Sequence, residues 1–81
     1  PAPATLTETE YVGRVSASFK RAATTIPELR GRDSEMLGAF NKARNGITVD
    51  DIKFEKELEK AGIDPLQRQI LRVQVRELAV N

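Results

Sequence analysis

Three arginines, Arg68, Arg72 and Arg76, fall four residues apart. On a helix that spacing puts them on one ridge. Each guanidinium is a permanently charged fork of donors, so the ridge can hold phosphates or the carboxylates of an acidic partner. No aromatic side chain is interleaved with them, which leaves no platform for stacking bases. Without any ligand the same residues can line a solvated face or pair with the acidic segment upstream. That segment carries Asp50, Asp51, Glu55, Glu57 and Glu59. A calcium loop needs oxygen ligands at alternating positions and a glycine at the sixth, and Ile52 and Phe54 interrupt such a pattern. Acid–base catalysis by two carboxylates needs a cleft that drives their pKa values apart, which a short amphipathic helix does not supply. Pairing with Lys53, Lys56 and Lys60 is the expected role of these acids.

Other chemistry is thinly provided. Histidine and cysteine are both absent, which removes the commonest general base, the commonest metal ligand and every thiolate. Ser16, Ser18 and Ser34 have no imidazole to activate them. The five glycines, at 13, 31, 38, 46 and 62, are too scattered for a phosphate loop. A non-enzymatic chain with no cofactor and no metal site is expected.

The last predicted helix offers a different kind of site. Leu66, Ile70, Val73 and Val80 form one apolar stripe, and Leu71, Val75 and Leu78 form a second, displaced by about 140° on an ideal helix. One stripe suffices for a helix on the surface of a monomer. Two predict burial on two sides, with Leu71, Val75 and Leu78 facing a partner. The alternative is a central helix wrapped by its own neighbours.

The elements that position these residues are marked by their punctuation. Thr7 with Glu10 makes a capping box, and Tyr11, Val12, Val15, Phe19, Ala22 and Ala23 follow at helical spacing, predicting a helix over 8–23. Thr25-Ile26-Pro27-Glu28 predicts a short turn of helix or a loop. Asp33 or Ser34 opens a second helix carrying Met36, Leu37, Ala39, Phe40 and Ala43, closed by Asn45-Gly46. A hairpin turn at Asn45-Gly46 competes with that reading, but Gly38 to Arg44 does not alternate as a strand would. Thr48 opens a third helix with Phe54, Leu58 and Ala61 on one side, closed by Gly62 with Ile63 as its apolar companion. Asp64 and Pro65 start the last helix, which runs to near Val80. Phe54 to Leu71 does not fit a helix-turn-helix: Leu58 stands where a small residue belongs, and Glu57 where an apolar one does. The run Ile70-Leu71-Arg72-Val73-Gln74-Val75-Arg76 resembles the terminal helix of small axial rod proteins of bacterial export machines. That likeness covers a handful of residues and carries no function across.

These readings converge on an all-α, small single domain of three to four helices, as a bundle or an orthogonal array, over residues 7–81, with a flexible leader at 1–6. The chain has 81 residues, 40% of them hydrophobic and 31% charged, and a net charge of +1. That balance fits a folded soluble domain and argues against a protein whose main task is holding nucleic acid. Without a visible signal peptide or membrane span, a cytoplasmic protein is expected. The expected partner is another protein or a second copy, docked through the C-terminal helix. A nucleic-acid-binding regulator using Arg68, Arg72 and Arg76 is the alternative. Phe19, Phe40, Phe54, Leu58 and Ile70 are the expected core.

Overall fold

The first helix, α1 (Glu8–Thr25), starts where its capping box predicts. The Glu10 backbone N–H donates to the Thr7 hydroxyl at 3.1 Å, and the Thr7 N–H donates to the Glu10 carboxylate at 3.2 Å. Leu6 stands just before this cap and Tyr11 in the first full turn after it, and both are buried. These are the two positions of a hydrophobic staple. The computed structural model describes residues 6–80. Leu6 therefore belongs to the packed domain rather than to the leader, and positions 1–5 lie outside the described residues.

Four α-helices make up most of the described chain, an all-α fold. A single 3-10 turn (Pro27–Leu29) follows α1 and buries Leu29. Helix α2 (Asp33–Ala43) follows, with Arg32 rather than Asp33 or Ser34 at its cap position. A hairpin then forms here, the reading set aside above, with Gly46-Ile47 as its loop and Asn45 in its first strand. Strand β1 (Arg44–Asn45) pairs antiparallel with β2 (Thr48–Val49), with Arg44 opposite Val49 and Asn45 opposite Thr48. Gly46 has a φ of +65°, and among the described residues no non-glycine has a positive φ. A glycine at the first central position of a two-residue loop is the mark of a type II′ turn. The missing alternation in Gly38 to Arg44 rules out a long strand, but two residues of ladder need none.

Thr48 is consequently in a strand, and Asp50 caps α3 (Asp51–Lys60), accepting from the Lys53 N–H at 3.1 Å. The end of α3 closes as its sequence predicts. Gly62, with a φ of +78°, donates its N–H to the Glu59 carbonyl at 2.9 Å, and Ile63 donates to the Leu58 carbonyl at 3.1 Å. This is the paired hydrogen-bond pattern of a Schellman closure, with Ile63 and Leu58 both buried beside it. Asp64 caps α4 (Pro65–Glu77) by accepting from the Gln67 N–H at 3.0 Å.

The core centres on four rings. Phe40 lies edge-on to Tyr11, Phe19 and Phe54 at centroid distances of 5.5, 6.0 and 6.3 Å, and Phe19 stacks on Phe54 at 6.4 Å. Val15, Leu29, Met36, Leu58, Leu71 and Val75 are the other fully buried large side chains around them. Of the five residues expected in the core, four are buried. Ile70 is the exception, 43% exposed.

The phenol of Tyr11 does a second job. A helix leaves its last carbonyls without intrahelical donors. In α4 the Gln74, Arg76 and Glu77 carbonyls accept from the N–H groups of Leu78, Ala79 and Val80. The Val75 carbonyl accepts instead from the Tyr11 hydroxyl at 2.7 Å. Burial pushes the Tyr11 phenol above its ordinary pKa, so it remains a donor through the neutral range.

Two substitutions test this core. Truncating Phe54 to Ala should cost about 3–5 kcal/mol. Total stability for a domain of this size is about 4–12 kcal/mol, so urea unfolding of Phe54→Ala should show most of the cooperative transition lost. Tyr11→Phe keeps the ring but leaves the Val75 carbonyl without its donor, and should cost about 1–3 kcal/mol by the same measurement. A midpoint unchanged from wild type in Tyr11→Phe would mean that water satisfies that carbonyl equally well.

Candidate docking face on the last helix

Helix α4 lies between α1 and α3, and its sides differ in chemistry. The side toward α3 is a ladder of ions. Arg72 directs all three guanidinium nitrogens at carboxylates: Nε to Asp51 Oδ1 at 3.0 Å, Nη2 to Asp51 Oδ2, and Nη1 to Glu55 Oε1 at 3.1 Å. Arg68 takes the next rung, with Nε 3.3 Å from Glu55 Oε2, Nη2 3.7 Å from Glu59 Oε2, and Nη1 donating to the Ile63 carbonyl at 2.6 Å. Asp51, Glu55 and Glu59 repeat every four residues on α3 and so form one ridge. The two ridges meet, and the side chains of Arg68 and Arg72 are only 13% and 23% exposed.

The proposed phosphate ridge is thereby divided. Arg68 and Arg72 have their donors engaged by the acids of α3. Arg76 is exposed, with no ion pair within 4 Å among the described residues. The acidic segment, in turn, pairs mainly with arginines of α4 rather than with its own lysines. Local pairing is limited to Lys60 and Glu57 at 3.3 Å, with Lys42 of α2 joining Glu57 at 3.7 Å. Among the described residues no cluster of three potential metal ligands occurs, and no helix is long and apolar enough to cross a membrane.

The side of α4 toward the core is the stripe expected to face a partner. Leu71 and Val75 are each 1% exposed and Leu78 is half-buried. This reverses the assignment of the two stripes. Leu71 and Val75 cannot meet a partner while the domain is folded. The outward face belongs to Leu66, Ile70 and Val73. Leu66 is 66% exposed, Ile70 is exposed and Val73 is half-buried. Ile70 and Val73, with Gln69, Gln74 and Glu77, outline a shallow open recess of about 300 Å³. Val80, exposed beyond the end of α4, extends the apolar surface.

A narrower groove runs along the third side, between α4 and α1. It has a volume of about 110 Å³ and is walled by Ala22, Ile26, Ile70 and Leu71, with Ser18, Arg21, Thr25 and Gln74 as its polar members. Ile70 and Gln74 belong to both recesses, so the apolar face and the groove are one continuous surface. A further recess of about 300 Å³ between α2 and α3 holds Glu57 with Lys42 and Lys60, charges that already compensate one another. There the Lys60 hydrogen bond holds the Glu57 carboxyl below its usual range.

No known protein family, curated protein or solved structure matches the chain.

The ladder has a pH signature. The Arg72 hydrogen bond holds the Asp51 carboxyl below the ordinary range, against a smaller opposing effect of burial. A pKa depressed by folding contributes its full stabilisation above the unfolded value, about pH 4, and loses it as pH falls through the lower folded value. The thermal midpoint of wild type should therefore exceed that of Asp51→Asn above about pH 5, and the gap should close as pH falls through the lowered folded value. A gap that stays constant with pH would show that Asp51 acts through packing rather than through its charge.

Proposed function

We propose that this chain is a non-catalytic docking module that presents the outward face of α4 to an amphipathic helix of a partner protein. The observation that carries the proposal is the exposed stripe of Leu66, Ile70 and Val73 on a helix whose other two sides are already engaged. These residues stand at i, i+4 and i+7, the spacing that meets the anchors of a helix laid along them. Gln69 and Gln74 flank the stripe with uncharged amides. The burial of Leu71 and Val75 moves the docking surface around the helix without removing it. The engagement of Arg68 and Arg72 by α3 weighs against the nucleic-acid reading, which would keep only Arg76 free of carboxylates. A chain without cysteine is compatible with a reducing cytoplasm, and that setting is part of the same proposal.

Magnitudes limit what the stripe can do alone. Fully burying a Leu or Ile side chain gains about 1.5–3 kcal/mol, so covering the exposed parts of Leu66 and Ile70 gains about 2 kcal/mol. Association loses about 4–15 kcal/mol of translational and rotational freedom. The stripe orients the partner, and a lasting complex needs contacts beyond it.

A pair of charge substitutions tests the reading. Ile70→Asp puts a carboxylate on an exposed position, so its helicity and thermal midpoint should stay near those of wild type. Val75→Asp buries an unpaired charge and should unfold the domain at every concentration. Affinity capture from the native host with mass spectrometry, and sedimentation for self-association, then compare wild type with Ile70→Asp. A partner or a second copy retained by wild type and lost from the folded Ile70→Asp variant supports the proposal. Identical associations in the two proteins would overturn it.

A further inference from the structure

We propose that Asn45 is a site of spontaneous covalent modification, where the Gly46 nitrogen closes a ring on the Asn45 side chain and water opens it to isoaspartate or aspartate.

The chemistry needs only neighbours in the chain and water. The Gly46 backbone nitrogen attacks the side-chain carbonyl carbon of Asn45 and closes a five-membered cyclic imide. The new bond joins that nitrogen to that carbon, and the bond from the carbon to the side-chain nitrogen breaks. Ammonia leaves, taking up the proton given by the Gly46 N–H. Water then opens the imide at either carbonyl. Opening at the side-chain carbonyl gives aspartate. Opening at the main-chain carbonyl gives isoaspartate, whose backbone runs through the former side chain.

The hairpin leaves the attacking nitrogen available. Asn45 is exposed, in the first strand. Gly46 begins the loop, outside the ladder that sets Asn45 opposite Thr48. The Gly46 carbonyl accepts from Arg44 Nη1 at 3.1 Å, but among the described residues its N–H donates to nothing. Gly46 has no Cβ to obstruct the approach, and no atom of another part of the chain lies within 4 Å of where one would stand.

Asn41 is the contrast. It is exposed as well, but it lies within α2. The nitrogen that would attack there belongs to Lys42, and the helix holds it in an i to i−4 hydrogen bond. The Asn41 carboxamide is itself engaged, accepting from Arg44 Nε at 3.1 Å. Two exposed asparagines one helical turn apart in sequence therefore differ in reactivity for a structural reason.

Ring closure requires rotation about the Asn45 Cα–C bond, away from extended strand geometry, so the ladder has to open first. It consists of two residue pairs. So short a hairpin opens locally without unfolding the helices around it. Isoaspartate then adds a carbon to the backbone at position 45, and the pairing with Thr48 cannot return in register. It also adds a negative charge next to Arg44, which ties the hairpin to Glu8 of α1 at 2.6 Å. The segment between α2 and α3 thus records the age of the molecule in one direction.

The test incubates the whole folded chain in neutral buffer at body temperature. Peptide mapping by mass spectrometry, with fragmentation that separates isoaspartate from aspartate, follows each asparagine. Conversion should appear at position 45, with isoaspartate among the products, while Asn41 stays intact. The folded chain should convert within about tenfold of the rate in guanidinium chloride, because the hairpin opens locally. Asn45→Gln, which would need a six-membered ring, should keep its mass over the same period. The isoaspartate form, isolated by its added charge, should melt below Asn45→Asp, which carries that charge on a backbone of normal length. No conversion at position 45 in the folded chain while the unfolded chain converts, equal conversion at Asn41, or aspartate without isoaspartate would each overturn the assignment. Equal melting of the isoaspartate form and Asn45→Asp would overturn the loss of register.

Discussion

The rotation of α4 about its own axis is the constraint on which the rest of the molecule depends. A helix with two apolar stripes about 140° apart can turn only one of them into a thin core. Its charged ridge decides which. On an ideal helix Arg68 and Arg72 lie about 70° from the Leu71, Val75 and Leu78 stripe and about 150° from the Leu66, Ile70 and Val73 stripe. The acids of α3 lie a comparable angle, about 90°, from the Phe54, Leu58 and Ala61 stripe. Two helices side by side on one core bring their near flanks together. The ladder of Asp51, Glu55 and Glu59 with Arg68 and Arg72 therefore forms only when Leu71 and Val75 point inward. From the other side, Tyr11 fixes the same rotation through the Val75 carbonyl.

What was legible in the residues was local. The Thr7 box, the Gly62 closure and the Asp64-Pro65 start each involve groups within five residues of one another, and their chemistry requires nothing from the rest of the fold. The hairpin at Gly46 loses to a helix stop in the sequence because two residues of strand leave no periodicity. Thr48 and Asp50 are both good caps, and the choice between them is made by the hairpin ladder, which claims Thr48. Leu6 reads as leader in the sequence although it stands at the staple position opposite Tyr11. The stripes of α4 were exchanged for a different reason. Hydrophobicity alone does not distinguish them, and Ile70 is as apolar as Leu71. Matching the acidic ridge of α3 to the arginines would have distinguished them, since the two ridges share a spacing of four and carry opposite charge.

Charge in this chain is organised more than its near-zero sum suggests. Most basic groups of α4 are neutralised by α3, and Arg44 is held by Glu8 at 2.6 Å while its guanidinium lies 5.9 Å from the Phe40 ring centre. Lys42 and Lys60 share Glu57. Between α2 and α3 packing and charge act together: Phe40 meets Phe54 and Lys42 meets Glu57. Among the described residues, Arg14, Lys20 and Arg21 on α1 and Arg76 on α4 are exposed cations with no carboxylate within 4 Å.

The hydrogen bond from Tyr11 to Val75 also has a topological consequence. It joins residues 64 positions apart, and Arg14 reaches the Val80 carbonyl in the same region. The opening turns of α1 and the closing turn of α4 are thus held side by side. A domain whose two ends leave from one place can be set into a surface loop of a host protein without prying the host apart. It can also be circularly permuted, with a short linker joining the old ends and new ones cut in an exposed turn such as Gly46-Ile47. In either arrangement the free side of α4 would remain open to solvent.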